Sequence, residues 1–268
     1  MANIRFVEKT HRYLTETGED LISVSKFTER FKEKVDWVKV AKGVAAKLTK
    51  EGTSTTLQDV LSRWEKKRNI SAAVGTLLHE LEENDIINKG NIKCYGKDCQ
   101  IEVGVKGEGD KYSIPINTLK NNTVYPELMI YDTDYMICGQ SDKVIVVDGK
   151  INIWDYKTDA EINFKGFSNK WVSPKKLLAP LGHLDDCNGN IYSIKMSLYM
   201  YLLWKANKGK FKPGEIIIEH KHLKRDPDND NIPVLENGSP IVIKTETIIL
   251  PYRKKEVMAM LKTLKNNM

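Results

Sequence analysis

Between two runs dense in β-branched residues, Lys143–Val147 and Lys150–Trp154, the chain carries the dipeptide Asp148-Gly149. A DG pair in that setting is the strongest short-range signal for a two-residue type I′ hairpin, because both central positions need a positive φ. The turn fixes a register. If Val147 faces Lys150, then Val146 faces Ile151, Val144 faces Ile153 and Asp142 faces Asp155, and all six of these last side chains share one face. Lys157 joins them two residues beyond Asp155, while Trp154 and Tyr156 point to the other side.

The shared face begins as a dry Val/Ile surface and ends in two carboxylates whose Cβ atoms are expected about 4.5–5.5 Å apart. Directly opposed like charges destabilise a sheet, so something must offset them: a shared proton, the ammonium of Lys157, or a bound divalent cation. Hard oxygen ligands suit magnesium or manganese, which can hold a phosphate and a water together. The plain alternative is a solvated hairpin end, with the two aspartates marking strand termini and Lys157 paired to one of them.

Composition sets the bounds on this reading. The 268 residues, 41% of them apolar, suffice for one large core, and the net charge of +6 suits a polyanionic partner. The sequence shows no apolar run of the roughly 18–20 residues a bilayer span requires, and its N-terminus lacks an apolar signal core, so a cytoplasmic location without membrane partners is expected. Cys94, Cys99, Cys138 and Cys187 form no CxxC pair and read as thiols, with neither zinc nor disulfides.

No internal repeat or low-complexity linker appears, so residues 1–268 read as a single domain: a hairpin and helical part over 1–70, then a core over 71–268. Residues 4–24 alternate around TGED as a hairpin, after which Ser25 caps a helix beginning KFTERF. VDWVKVAKGVAAKL and TLQDVLSRWEKK continue at helical spacing, giving three short helices, and Ser71 is read as the cap of a further helix, AAVGTLLHELEENDII. Period-two strands follow at YSIPI, YPELMIYD, MICGQSDKVIVV and INIWDYKT. An aperiodic stretch from Asp159 to Asn190 is long enough to suggest a substrate loop. IYSIKMSLYMYLLWKAN is a helix, EIIIEHKHL and IVIKTETIIL are strands, and a terminal helix follows Pro251. The class is therefore α/β or α+β, a central mixed sheet flanked by helices.

These motifs carry a family resemblance. GQSD at 139–142 followed by WDYKT at 154–158 resembles the paired motif of the PD-(D/E)XK nuclease superfamily. GTLLHELEE, which contains His79, is similar to the helical motif of its RecB-type exonuclease branch. YPELMIYD places Glu127 where that branch often has an upstream acid, and YSIKMSLYMYLL resembles its Q-x-x-x-Y helix. The four motifs cover residues 75–205 in the expected order, and phage recombination exonucleases and mitochondrial genome maintenance exonucleases are the nearest relatives to name.

The resemblance implies a Mg2+-dependent DNA exonuclease, with Mn2+ able to substitute, acting in phage-type replication, recombination or processing beside other proteins of those pathways. It implies that Asp142, Asp155 and the Tyr156 carbonyl bind metal, that His79 adds a ligand, and that Lys157, Asp155 and Asp142 form the catalytic group. Glu127, Gln140, Lys195 and Tyr199 fall on the substrate side, and Glu83 lies one turn beyond His79. Lys195 stands where the family has glutamine; it either touches a phosphate or solvates the helix face. Members with an iron–sulfur cluster clamp the two ends of the domain with four cysteines. Here the cysteines lie centrally, and no cluster is expected.

The rivals are an endonuclease on the same core and a non-cutting DNA-binding or scaffold subunit. His220 and His222 fall on one face of a strand and read as surface residues rather than metal ligands. His183, Asp185 and Asp186 belong to an ordered loop, where Lys170, Lys175 and Lys176 are candidates for phosphate contact or plain solvation.

Overall fold

The computed structural model describes residues 4–10, 12–103, 105–106, 111–168 and 173–265. The chain opens with strands β1 (Ile4–Val7), β2 (Arg12–Thr15) and β3 (Asp20–Ser23), then α1 (Val24–Glu29), α2 (Trp37–Lys50) and α3 (Leu57–Lys89). Next come β4 (Asn91–Cys94), β5 (Lys97–Ile101), β6 (Val105–Lys106), β7 (Lys111–Ser113), β8 (Thr123–Asp132), β9 (Ile137–Val147) and β10 (Lys150–Lys157). Helix α4 (Asn188–Ala206) and strand β11 (Lys212–Leu223) precede four two-residue strands, β12 (Arg225–Asp226), β13 (Ile232–Pro233), β14 (Leu235–Glu236) and β15 (Ser239–Pro240). The chain then forms β16 (Val242–Leu250) and α5 (Lys254–Lys265).

The DG turn behaves as its chemistry requires. Asp148 and Gly149 have φ of 48° and 70°, and the ladder pairs Val147 with Lys150, Val146 with Ile151, Val144 with Ile153 and Lys143 with Trp154. Val144, Val146, Ile151 and Ile153 enter the main core together with α4. On the opposite face, Ile145 and Val147 pack with Ile86 of α3 and with Cys94 and Cys99. Val74 and Leu78 of α3 pack on Tyr156 and Leu223. Both faces of the hairpin are thus covered by helices, which is why its strands read as nearly continuous β-branched runs.

The main sheet is mixed: β9 pairs antiparallel with β8 and β10, whereas β10–β11, β3–β9 and β5–β8 are parallel. Helix α4 packs across β8 to β11. Fourteen of its 19 residues are buried, so it is a central helix and not an amphipathic surface one. The fold is α+β, as its sequence pattern suggests.

Four local expectations are corrected. Residues 4–24 hold three strands instead of a two-stranded hairpin, because β1 pairs with β2, β2 with β3, and β3 runs on to pair with β9. The cap of α1 is Ser23, whose hydroxyl accepts from the Lys26 N–H at 3.2 Å; the helix starts early because Val24 is buried. Ser71 caps nothing. It lies inside α3, a single 33-residue helix that opens on a capping box between Thr56 and Asp59 and ends at Gly90 with φ 65°. Within α3 no glycine or proline comes before Gly75, and a serine costs the helix interior too little to stop it. The boundary read at 70/71 is therefore spanned by one helix. YSIPI is strand only to Ser113 and then becomes a 3-10 turn, Ile116–Thr118.

Candidate active site

Strand β9 has β8 along one side for its full length. Its other side is divided: β3 pairs with Ile137 and Cys138, and β10 with Lys143 to Val147. Between them, among the described residues, Gly139 to Asp142 have no strand neighbour on that side, and the sheet opens. The opening has a specific chemistry. The β8–β9 ladder pairs Pro126 with Lys143 and Leu128 with Ser141, which sets position 127 opposite 142. The β9–β10 ladder places 155 next after the Lys143–Trp154 pair. Glu127, Asp142 and Asp155 therefore occupy one level across three adjacent strands.

Glu127 interrupts its strand with φ 46°, a left-handed conformation that costs a non-glycine residue about 1–3 kcal/mol. Gln140 Nε2 donates to the Glu127 carbonyl at 3.2 Å and holds the interruption in place. Gln140 thus positions the backbone of an acid. The carboxylates meet His79 from α3: its Nδ1 is 3.4 Å from Asp142 Oδ1 and 4.0 Å from Glu127 Oε1. Asp142 Oδ2 accepts the Tyr156 N–H at 2.6 Å, so the side chain occupies the place a ladder partner would take. Helix α3 is held at this edge by an ion pair between Glu82 and Lys221 of β11.

On the other side, the Lys157 ammonium is ion-paired to Asp155 and donates to the Tyr156 carbonyl at 3.0 Å. It also lies 5.0 Å from the ring centre of Tyr192, whose hydroxyl donates to Asp159 at 2.7 Å. Lys157 bridges an aspartate and the carbonyl that the family resemblance implies as metal ligands.

Burial would lower the pKa of His79, but its hydrogen bond to Asp142 and the charge of that carboxylate raise it overall. Burial pushes Asp142 up, yet His79, Lys157 and the Tyr156 N–H outweigh it and hold the carboxyl below its usual range. Asp155 goes the other way: burial and the charge of Asp142 raise it, and Lys157 and Lys195 only partly oppose them. Lys157 is raised, since Asp155 and Asp142 more than offset its burial, and the ammonium is the stable form.

Glu127 is raised to about 8, by burial first and then by Asp142, with Glu83 and Asp155 adding and His79 opposing. A carboxyl whose folded pKa is raised contributes stability that is complete below its ordinary range and lost as pH rises through the folded value. In chelator, wild-type protein should therefore lose stability between about pH 5 and pH 8, by a few kcal/mol for this group, and Glu127→Gln should flatten that slope. Melting curves of both proteins across this window check it. Equal slopes would mean that Glu127 titrates normally.

The last two candidates lie on α4. Tyr199 is buried beneath Gly139, and a Cβ added there would sit 2.5 Å from the tyrosine hydroxyl. Gly139→Ala should cost about 1–3 kcal/mol in denaturant unfolding, because the ring has little room to retreat. Lys195 is not on a solvated face: burial lowers its pKa, Asp155 opposes that, and Lys157 adds repulsion. Its charge acts on Asp155 and, more weakly, on Asp142.

Other residues fall elsewhere. His183 Nε2 lies 3.1 Å from Glu256 of α5. Asp185 accepts from the Gly166 N–H at 3.0 Å and pairs with Lys176, so it orders the long loop. Lys175 is 3.7 Å from Glu33, and Lys170 lies outside the described residues. The four cysteines are free and buried; burial, with the Cys99 thiol beside it, raises Cys94 to about 11. His220 is only 2% exposed, which overturns its reading as a surface residue.

Sequence reasoning missed the left-handed Glu127, the Lys221–Glu82 anchor and the Tyr192–Asp159 contact. Only the first had a signal, the proline at 126 inside a strand run, since proline marks irregular strand positions.

No family model matches this chain, and no curated protein matches it. Among solved structures, the crystal structure of SSO0001 aligns over 92% of this chain and 76% of its own, at 12% identity and a TM-score of 0.31. Among the described residues, no helix is long and apolar enough to cross a membrane.

Proposed function

We propose that this chain is a metal-dependent deoxyribonuclease of the PD-(D/E)XK type that degrades DNA from its ends. One observation carries the reading: Glu127, Asp142 and Asp155 stand level across three strands, with His79 on one side and Lys157 on the other. Donor atoms of His79, Glu127 and Asp142 lie within 4.8 Å of one another, and this mostly carboxylate set fits Mg2+ or Mn2+. Those three residues and Asp155 would hold the ion. When bound, the metal supplies a polarised phosphate and an activated water.

The protein's own groups do the rest. Lys157, held as an ammonium, is suited to neutralise charge that develops on the phosphate and to orient the attacking water, more than to deprotonate it. Lys195 adds a second positive charge beside Asp155. Asp142 sits between the imidazole of His79 and the Tyr156 N–H, which fixes both of its oxygens.

Charge supports DNA as the substrate. From Trp37 to Arg68, helix α2 and the first part of α3 carry eight basic residues against three acidic ones, a net +5 in a chain of +6. Trp37 is 61% exposed on this arm, packed edge-on against Trp64. Lys67 and Arg225 line the groove that holds His79 and Lys157. Exposed aromatics among lysines suit a nucleic-acid strand held through its phosphates and base faces, without sequence readout.

The test incubates the protein with Mg2+ and one sequence as end-labelled linear and as covalently closed circular DNA, each single-stranded and duplex. Linear DNA should be degraded without sequence preference, closed circles should survive, and chelator should stop the reaction. Activity should fall steeply with salt, because phosphate contacts release counterions. Linearisation of closed circles at discrete sites would establish the endonuclease instead, and binding without any cleavage would establish a non-cutting subunit.

A further inference from the structure

We propose that His220, His222 and Glu246 form a second metal site, distinct from the carboxylate cluster and suited to zinc. The two histidines alternate along β11 and so share a face, and the antiparallel ladder sets Glu246 of β16 directly opposite His220. A His-x-His pair on one strand with a third donor from the neighbouring strand presents three ligands to one point. Here the donor atoms lie within 4.8 Å of one another, and the two rings are 4.0 Å apart.

The hydrogen bonding of His220 agrees with this assignment. His220 Nε2 is 2.8 Å from the Asp159 carbonyl. A carbonyl oxygen only accepts, so Nε2 carries the hydrogen and Nδ1 keeps its lone pair. A histidine anchored through one nitrogen by a backbone carbonyl, with the other nitrogen free, is the usual arrangement of a metal-bound imidazole. His222 Nε2 lies 3.1 Å from Glu246 Oε2, to which it donates in the metal-free protein, so a bound ion would take the place of that one hydrogen. That separation is close to the spacing of roughly 3.3 Å between two donors of a tetrahedral ion with bonds of about 2.0–2.1 Å.

Two imidazoles and a single carboxylate favour a zinc-class ion over Mg2+, and three protein ligands leave a fourth position for water. The competitor is Lys244, whose Nζ is 3.4 Å from the same Glu246 oxygen and which metal would displace.

The site has a structural consequence. β16 is the edge strand of the sheet and is largely exposed, with Ile243 and Ile249 each 66% accessible. A metal across β11 and β16 would staple that edge. It would also fix His220, which pairs in the ladder with Lys157 and holds the carbonyl of Asp159 where the long loop begins.

The experiment uses full-length Asp142→Asn protein, so that the carboxylate cluster does not compete, and titrates Co2+ as a spectroscopic stand-in for zinc. One equivalent should bind with the visible bands of four- or five-coordinate cobalt, zinc should displace it, and zinc should raise the melting temperature. In the same background, His222→Ala and Glu246→Gln should each weaken binding at least about tenfold. Lys244→Met should not weaken it. Absence of the cobalt bands, or bands that persist unchanged in the His222→Ala protein, would overturn the site.

Discussion

Asp142→Asn and Asp155→Asn should each lower DNA cleavage by at least about three orders of magnitude, which corresponds to roughly 4 kcal/mol of lost transition-state stabilisation. They should nevertheless move the stability of the metal-free protein in opposite directions. Asp142 is a carboxylate that the fold favours as an anion: His79, Lys157 and the Tyr156 N–H all act on it, and its pKa lies below the ordinary range. Removing the charge gives up that favourable interaction, so Asp142→Asn destabilises the metal-free chain around neutral pH. Asp155 is an anion the fold disfavours, raised by burial and by the charge of Asp142 just beyond the end of the ladder. Asp155→Asn relieves that repulsion and stabilises the same protein. Chelator melting and calorimetric metal titration separate the two effects. A matching loss of metal-free stability in both variants would mark a structural ion cluster, and unaltered metal binding in either would remove that residue from the ligand set.

The two aspartates look equivalent in the sequence, and the reason they differ marks where sequence reading stops. The hairpin's register, from Val147–Lys150 to Lys143–Trp154, was legible because a two-residue turn and a period of two leave no freedom over twelve residues. Which neighbours each carboxylate meets depends on contacts from residues far away. His79 arrives on a helix more than sixty positions upstream, and Lys195 on another forty downstream.

The long α3 was illegible for a different reason: Ser71 satisfies a capping preference equally well whether it caps or sits inside a helix, and only tertiary packing decides. Glu127 was legible as an acid but not as a ligand candidate. Its carboxylate reaches His79 from a strand position whose backbone turns left-handed, and no period-two count anticipates that. The buried His220 was hidden for a similar reason, since a polar alternation reads as a surface whether or not a loop covers it.

Lys157→Ala should reduce cleavage by about a thousandfold while leaving affinity for DNA within a few-fold of wild type. The argument rests on where the positive charge lies. Substrate binding draws on a dispersed set of cations, and the arm from Trp37 to Arg68 alone carries a net +5, so one buried lysine adds little to the counterion count. Lys157 is placed differently: its ammonium touches Asp155 and the Tyr156 carbonyl, inside the opening of the sheet. From there it acts on charge that develops at the phosphate during reaction, not on the ground-state strand. Loss of kcat with little change in binding, and an unchanged dependence of affinity on salt, is the signature of such a group.

The truncation also leaves Asp155 without its nearest cation. Its pKa should rise further, and the variant should need a higher pH, or more metal, to fill the carboxylate site. Lys157→Arg restores the charge but not the compact geometry, so it should recover metal affinity ahead of rate. Cleavage by Lys157→Ala within tenfold of wild type at saturating Mg2+ would show that this lysine serves the resting electrostatics of the hairpin and not the chemistry.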